Sequence, residues 1–139
     1  MSYSHLLVAV APTPESHELL RKAVEIAEPA GARISLITLS TDPEMYNQLA
    51  APMLENLREL MQEETHQFLR SLSDSTHYPI WKSHIASGEL CDHVKAFCQN
   101  HQVDLVICGN HNQSFFSRAT CSAKAIAGNS GVDVLLVTL

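Results

Sequence analysis

Hydrophobic and polar positions along the chain follow two alternating patterns. Short apolar runs rich in β-branched residues, the first from His5 to Ala11, are typical of strands buried on both faces. Between these runs, apolar residues recur every three or four positions, as they do on one face of a helix. The first helical pattern starts at Pro14, and we expect Pro29 and Gly31 to end it. The chain therefore predicts strands and helices in alternation.

The later segments continue this order. Strands are predicted at 33–40, 80–87, 104–109 and 132–139, with three further helices between them. The run 80–87 alternates apolar and polar residues, as an edge strand does, whereas 104–109 is apolar almost throughout, as a central strand is. Such alternation predicts an α/β fold made of right-handed βαβ units, with a parallel sheet and helices on both faces.

Size and composition indicate one soluble globular domain over residues 1–139. The chain has 139 residues, 45% of them hydrophobic and 17% charged, which fits a single domain with one core. No apolar run approaches the roughly 20 residues that span a bilayer. The first residues also lack the basic start and the cleavage site of a signal peptide. We therefore expect a cytoplasmic protein with no membrane insertion.

The charge argues against nucleic-acid binding, and the cysteine spacing argues against a thiol redox role. The net charge is −6 and the nine basic residues are dispersed, so nucleic acid is not an expected partner. The cysteines form no C-x-x-C pair, and buried free thiols in a reducing compartment are expected. These four residues are Cys91, Cys98, Cys108 and Cys121.

Residues capable of catalysis or metal binding are present but not grouped in the sequence. The eight histidines form no H-x-H or H-x-x-x-H pair, so a metal site would need distant segments, and we expect surface or partly buried histidines and no metal. His111, in a polar loop, is the one histidine placed to touch a ligand. Ser114, Ser117 and Cys121 have no assignable base, so no catalytic residue is expected.

The stretch CGNHNQSFFSRATCSAKAI, residues 108–126, has the outline of a phosphate-binding turn, in which a strand ends at a glycine and a loop leads into a helix. Three segments, HLLVAVAPTPES, DLVICGNHN and VDVLLVTL, resemble the universal stress protein family, and the likeness extends over almost the whole chain. This resemblance implies a single Rossmann-like domain with a five-stranded parallel sheet in the order 3-2-1-4-5. In such a sheet, ligands bind where the strand order reverses.

The resemblance also implies where a nucleotide would bind. Nucleotide-binding members carry an Asp after the first strand and the loop pattern G-x-x-G, nine residues, G and Ser or Thr. In this chain the five positions are occupied by Ala11, Gly109, Asn112, Ser122 and Ala123. Only Gly109 matches. Side chains at Asn112 and Ser122 would obstruct the approach of backbone N–H groups to phosphate, and Ala123 has no hydroxyl to donate. We therefore expect no tight ATP binding and no bound cofactor.

Three function classes stay open. A dimeric stress-response protein that acts through protein contacts, as a scaffold or interaction module, fits the missing nucleotide contacts. The alternatives are a nucleotide-binding switch and a nucleotide-dependent enzyme, both using the degenerate loop, with His111 as the only candidate for catalysis. Partner recognition could lie in SFFS, 114–117, or in PEMYNQ, 43–48, although these hydrophobic side chains could equally cover helix ends.

The last strand predicts how two copies associate. VDVLLVTL is apolar on both faces, with Asp133 as its only charge, and it lies at the sheet edge in the implied strand order. An apolar edge with unpaired backbone groups must be covered or paired. Antiparallel pairing with the same strand of a second copy, around a two-fold axis, would give these backbone groups hydrogen-bond partners. The family resemblance points the same way. We expect a homodimer with Val134, Leu136 and Thr138 near its centre.

Overall fold

A computed structural model describes residues 3–10, 14–39, 51–86, 90–109 and 132–137. The described chain forms, in order, β1 (His5–Ala9), α1 (Glu15–Ala30), β2 (Arg33–Leu39), α2 (Ala51–Asp74), β3 (Ile80–Ala86), α3 (Leu90–His101), β4 (Leu105–Gly109) and β5 (Asp133–Val137). The alternation predicted from the sequence is confirmed for these elements. The expected fourth helix, around Ala119, lies outside the described residues.

The five strands form one parallel sheet in the order β3-β2-β1-β4-β5. This order confirms the predicted Rossmann-like class. All five residues of β4 are buried, as expected for a central strand, and β3 lies at an edge. The order reverses between β1 and β4, and this position is where a sheet of this kind opens a crevice at its carboxyl end.

The helices lie on both faces of the sheet. Leu20 of α1 and Leu72 of α2 belong to one buried cluster with Val8, whereas Val94 and Phe97 of α3 belong to another on the opposite face. The helices lie on both faces because the crossovers are right-handed: the chain moves along the sheet from β1 to β3 in one direction and then crosses back to β4. Burial of these two clusters supplies the main stabilising term of the fold.

The end of α1 differs from the prediction in one detail. Pro29 lies inside the helix, so the expectation that it ends the helical pattern is wrong. The helix ends at Gly31, whose φ of 65° is left-handed and would strain a residue with a side chain. The N–H of Ala32 then bonds to the carbonyl of Ala27 at 3.0 Å, which closes the helix end. Gly31 alone therefore ends α1.

Candidate functional site

The crevice at the strand reversal is the first candidate site. Gly109 is the last residue of β4 and is buried, at the carboxyl end of the strand that pairs with both β1 and β5. It therefore lies at the carboxyl end of β4, where the sequence predicts it, and its part in a nucleotide site stays a prediction. The other predicted nucleotide-site residues lie outside the described residues: Ala11, His111, Asn112, Ser122 and Ala123. The described part of β4 therefore ends where the predicted nucleotide loop begins.

At the opposite, amino end of the strands, Asp104 links β1 to the start of β4. Its Oδ2 accepts hydrogen bonds from the Ser4 backbone N–H at 2.8 Å and the Ser4 hydroxyl at 3.0 Å, and its Oδ1 accepts from the His5 N–H at 3.0 Å. Burial raises the pKa of Asp104, but the hydrogen bonds from Ser4 and His5 outweigh it and hold the pKa below its ordinary value. This carboxylate is therefore a structural group.

Asp104→Asn is expected to destabilise the fold by about 1–3 kcal/mol, because the amide nitrogen would face backbone donors instead of accepting from them. The carboxylate's contribution is complete above its unfolded pKa and is lost as the pH falls through the lower folded pKa. Urea unfolding at neutral pH and near pH 3 should show the two proteins converging in acid. Asp74→Asn, at an exposed position of α2, is the control. An equal loss in both variants would contradict this role.

His5 is a buried histidine that the sequence did not identify. It is 3% exposed, so the expectation of surface or partly buried histidines is wrong at this position. Its Nδ1 lies 2.9 Å from the His101 carbonyl, which can only accept, so Nδ1 carries the proton. Nε2 then accepts from the Ser35 hydroxyl at 2.7 Å. Burial, together with the nearby Arg33 cation, lowers the pKa of His5, and the neutral ring is favoured.

Six rings form a continuous layer between α3 and the sheet, which we call the histidine layer. It consists of His5 on β1, Trp81 and His84 on β3, and His93, Phe97 and His101 on α3. The three α3 residues are spaced by four, so they lie along one helix stripe. Neighbouring ring centroids are 4.4 Å apart for Phe97 and His101 and 5.3 Å apart for Trp81 and His101. Tertiary packing thus brings together four histidines that are dispersed in the sequence.

A β-bulge places Trp81 in this layer. Ile80 pairs with Ile34 but Lys82 pairs with Ser35, so Trp81 is an extra residue on the edge strand. Trp81 is 44% exposed, and its ring centroid lies 5.0 Å from the Arg33 guanidinium and 5.6 Å from the Lys82 ammonium. Both distances fit cation–π attraction. These contacts account for the position of an exposed tryptophan whose role the sequence pattern did not indicate.

Two cysteines confirm the predicted free, buried thiols. Cys98 and Cys108 are buried and unpaired, and burial raises the pKa of each to about 11. Both are therefore protonated near neutral pH, and neither supplies a reactive thiolate. Cys121 and the side chain of Cys91 lie outside the described part of the structure. Within that part, no group of three or more His, Cys, Asp or Glu residues is arranged around a common metal position, and no helix could span a membrane.

The outer edge of β5 is the second predicted site. In the described sheet β5 pairs only with β4, so one side of its backbone faces outward. Leu136 is 55% exposed, and Val134 is partly buried. The edge position predicted for this strand is confirmed. Thr138 lies outside the described residues.

The strand order and the crevice define a Rossmann-like α/β protein, and sequence comparison identifies its family. The profile of the universal stress protein family matches residues 2–138, so the chain belongs to that family. It is 64% identical over 139 residues to universal stress protein C of Salmonella typhimurium strain LT2, covering 100% of this chain and 98% of that protein. The family expected from the sequence is thereby confirmed.

Solved structures show the same fold at low sequence identity. Universal stress protein UspA from Lactobacillus plantarum superposes with a TM-score of 0.72 at 18% identity, covering 99% of each chain. A universal stress protein in complex with cAMP superposes with a TM-score of 0.59, also at 18% identity, covering 99% of this chain and 98% of the other. At these identities the likeness concerns the fold alone.

Proposed function

We propose that this universal stress protein acts in the cytoplasm as a homodimeric interaction or scaffold module, without tight ATP binding and without catalysis. The observation that carries the proposal is the outward edge of β5, where an apolar strand pairs on one side only within the described sheet. The free thiols of Cys98 and Cys108 fit a reducing compartment. The net charge of −6 gives no electrostatic reason for nucleic-acid binding.

Pairing of two β5 strands would complete the sheet edge. Antiparallel alignment around a two-fold axis joins the outward N–H and C=O groups of both copies, and each copy then offers the same surface to the other. Val134 and Leu136 would lie near the axis, together with Thr138. The two five-stranded sheets would then form one ten-stranded sheet.

The absence of tight ATP binding rests on residue chemistry. Four of the five positions that carry nucleotide contacts in the family have other residues here: Ala11, Asn112, Ser122 and Ala123. Together they remove one carboxylate acceptor, one hydroxyl donor and two glycine backbones. A nucleotide-binding switch is the second candidate, and the structural neighbour in complex with cAMP supports it. A nucleotide-dependent enzyme would need His111 to act on the bound molecule.

Calorimetric titration of the purified protein with Mg-ATP is expected to show no binding in the low micromolar range, since such binding requires about −8 kcal/mol. The quadruple variant Ala11→Asp, Asn112→Gly, Ser122→Gly and Ala123→Ser restores the family pattern and is the positive control, with at least tenfold tighter binding expected. The same titration with cAMP tests the second candidate. Micromolar binding of either nucleotide to the unmodified protein would overturn the proposal.

A further inference from the structure

Two histidines of the histidine layer approach each other through their ring nitrogens. His84 Nε2 and His93 Nδ1 are 3.5 Å apart, with ring centroids separated by 5.6 Å. His84 is on the edge strand β3 and His93 is on the first half of α3. The two rings are therefore brought together by the packing of α3 on the sheet.

This separation matches the spacing of two ligands on one metal ion. Zinc–nitrogen bonds of about 2.0–2.1 Å with a tetrahedral angle place two ligand nitrogens roughly 3.3–3.4 Å apart. As a hydrogen bond, by contrast, a nitrogen–nitrogen distance of 3.5 Å is long and weak. We propose that His84 and His93 bind a divalent transition-metal ion of the zinc and copper class, through Nε2 of the first and Nδ1 of the second.

Both rings are attached to rigid elements. His84 lies opposite Ile37 in the β2–β3 pairing, and its ring packs against Phe97 at a centroid distance of 5.9 Å. His93 lies one helical turn before Phe97, and the adjacent Val94 is buried in the core. Ligands held by a strand and a packed helix need little reorganisation to accept the ion, and this raises affinity.

The ligand set defines the kind of site. Two imidazoles leave two or more coordination positions for water, and the described residues provide no group of three His, Cys, Asp or Glu around one position. Such a site exchanges its metal and does not hold the fold together, in contrast to a four-ligand structural zinc site. Imidazole favours Cu²⁺, Ni²⁺ and Zn²⁺, whereas Mg²⁺ takes oxygen ligands. Cu²⁺ should therefore bind more tightly than Zn²⁺, and Mg²⁺ should not compete.

Titration of the full chain with Zn²⁺ at neutral pH, followed by calorimetry and histidine ring NMR signals, tests the site. His84→Gln and His93→Gln should each weaken Zn²⁺ binding at least tenfold. His66→Gln, at an exposed position of α2, is the matched control and should leave the affinity unchanged. Circular dichroism checks that each variant folds, and His93→Gln, on a partly exposed helix position, keeps the test valid if His84→Gln unfolds.

Electron paramagnetic resonance with bound Cu²⁺ gives an independent readout. The unmodified protein should show hyperfine coupling to two imidazole nitrogens, and each single variant should show coupling to one. The proposal is overturned if Zn²⁺ does not bind at submillimolar concentration, if the control loses as much affinity as the two variants, or if the nitrogen coupling is unchanged in both His84→Gln and His93→Gln.

Discussion

Leu136→Glu is expected to convert the protein from a dimer into a folded monomer. Leu136 is 55% exposed in the protomer, so the charge should cost little in folding. In an antiparallel β5 pair around a two-fold axis, however, the two glutamates would lie close together and repel each other. Light scattering at micromolar concentration should report twice the chain mass for the unmodified protein and the single chain mass for the variant.

Leu60→Glu is the matched control for this experiment. Leu60 is 57% exposed on α2, so it carries the same substitution at nearly the same exposure but away from β5. We expect it to leave the dimer intact. A monomeric unmodified protein would refute the homodimer, whereas a dimeric Leu136→Glu with a monomeric Leu60→Glu would place the interface on α2.

His5→Ala is expected to lower the free energy of unfolding by about 2–4 kcal/mol, since it leaves a cavity and removes both hydrogen bonds that the ring makes. The Ser35 hydroxyl would lose its acceptor and the His101 carbonyl its donor. Chemical denaturation at pH 7.5 measures the loss. His17→Ala, on the exposed side of α1, should change stability by no more than about 0.5 kcal/mol.

The stability contributed by His5 should also depend on pH. Its folded pKa lies below the ordinary value of 6.5, so the unfolded chain takes up the proton first as the pH falls. The contribution is complete above pH 6.5 and decreases as the pH drops toward the folded pKa. The free energies of the unmodified protein and His5→Phe should therefore converge between pH 7.5 and 5. A constant difference over this range would show that His5 does not stay neutral in the fold.

The sequence predicts which residues occupy the positions of the nucleotide loop and where on the sheet the loop begins. Gly109 ends an apolar run, and the structure places it at the carboxyl end of β4 as expected. The departures at Ala11 and Ala123 are matters of residue type and need no coordinates to be recognised. The edge location of β5 was likewise foreseen and is confirmed, whereas its pairing with a second copy stays a prediction.

The sequence by itself determined the order of strands and helices, the central place of β4 and the exposed edge of β3. It could do so because each segment carries its own pattern of apolar residues. This pattern depends on whether the segment is buried on both faces, on one face or on neither. The glycine that ends α1 was also visible locally, whereas Pro29, which the same local pattern predicts as a stop, lies inside the helix.

Only the tertiary structure decided which polar residues meet. His5 and His101 are 96 positions apart, and their contact depends on how β1 and α3 pack, which no local pattern records. The bulge that admits Trp81 is a property of pairing between β2 and β3. Likewise, His84 and His93 show no metal-ligand spacing in the sequence, because that spacing arises across a strand and a helix whose distance is set by the core between them.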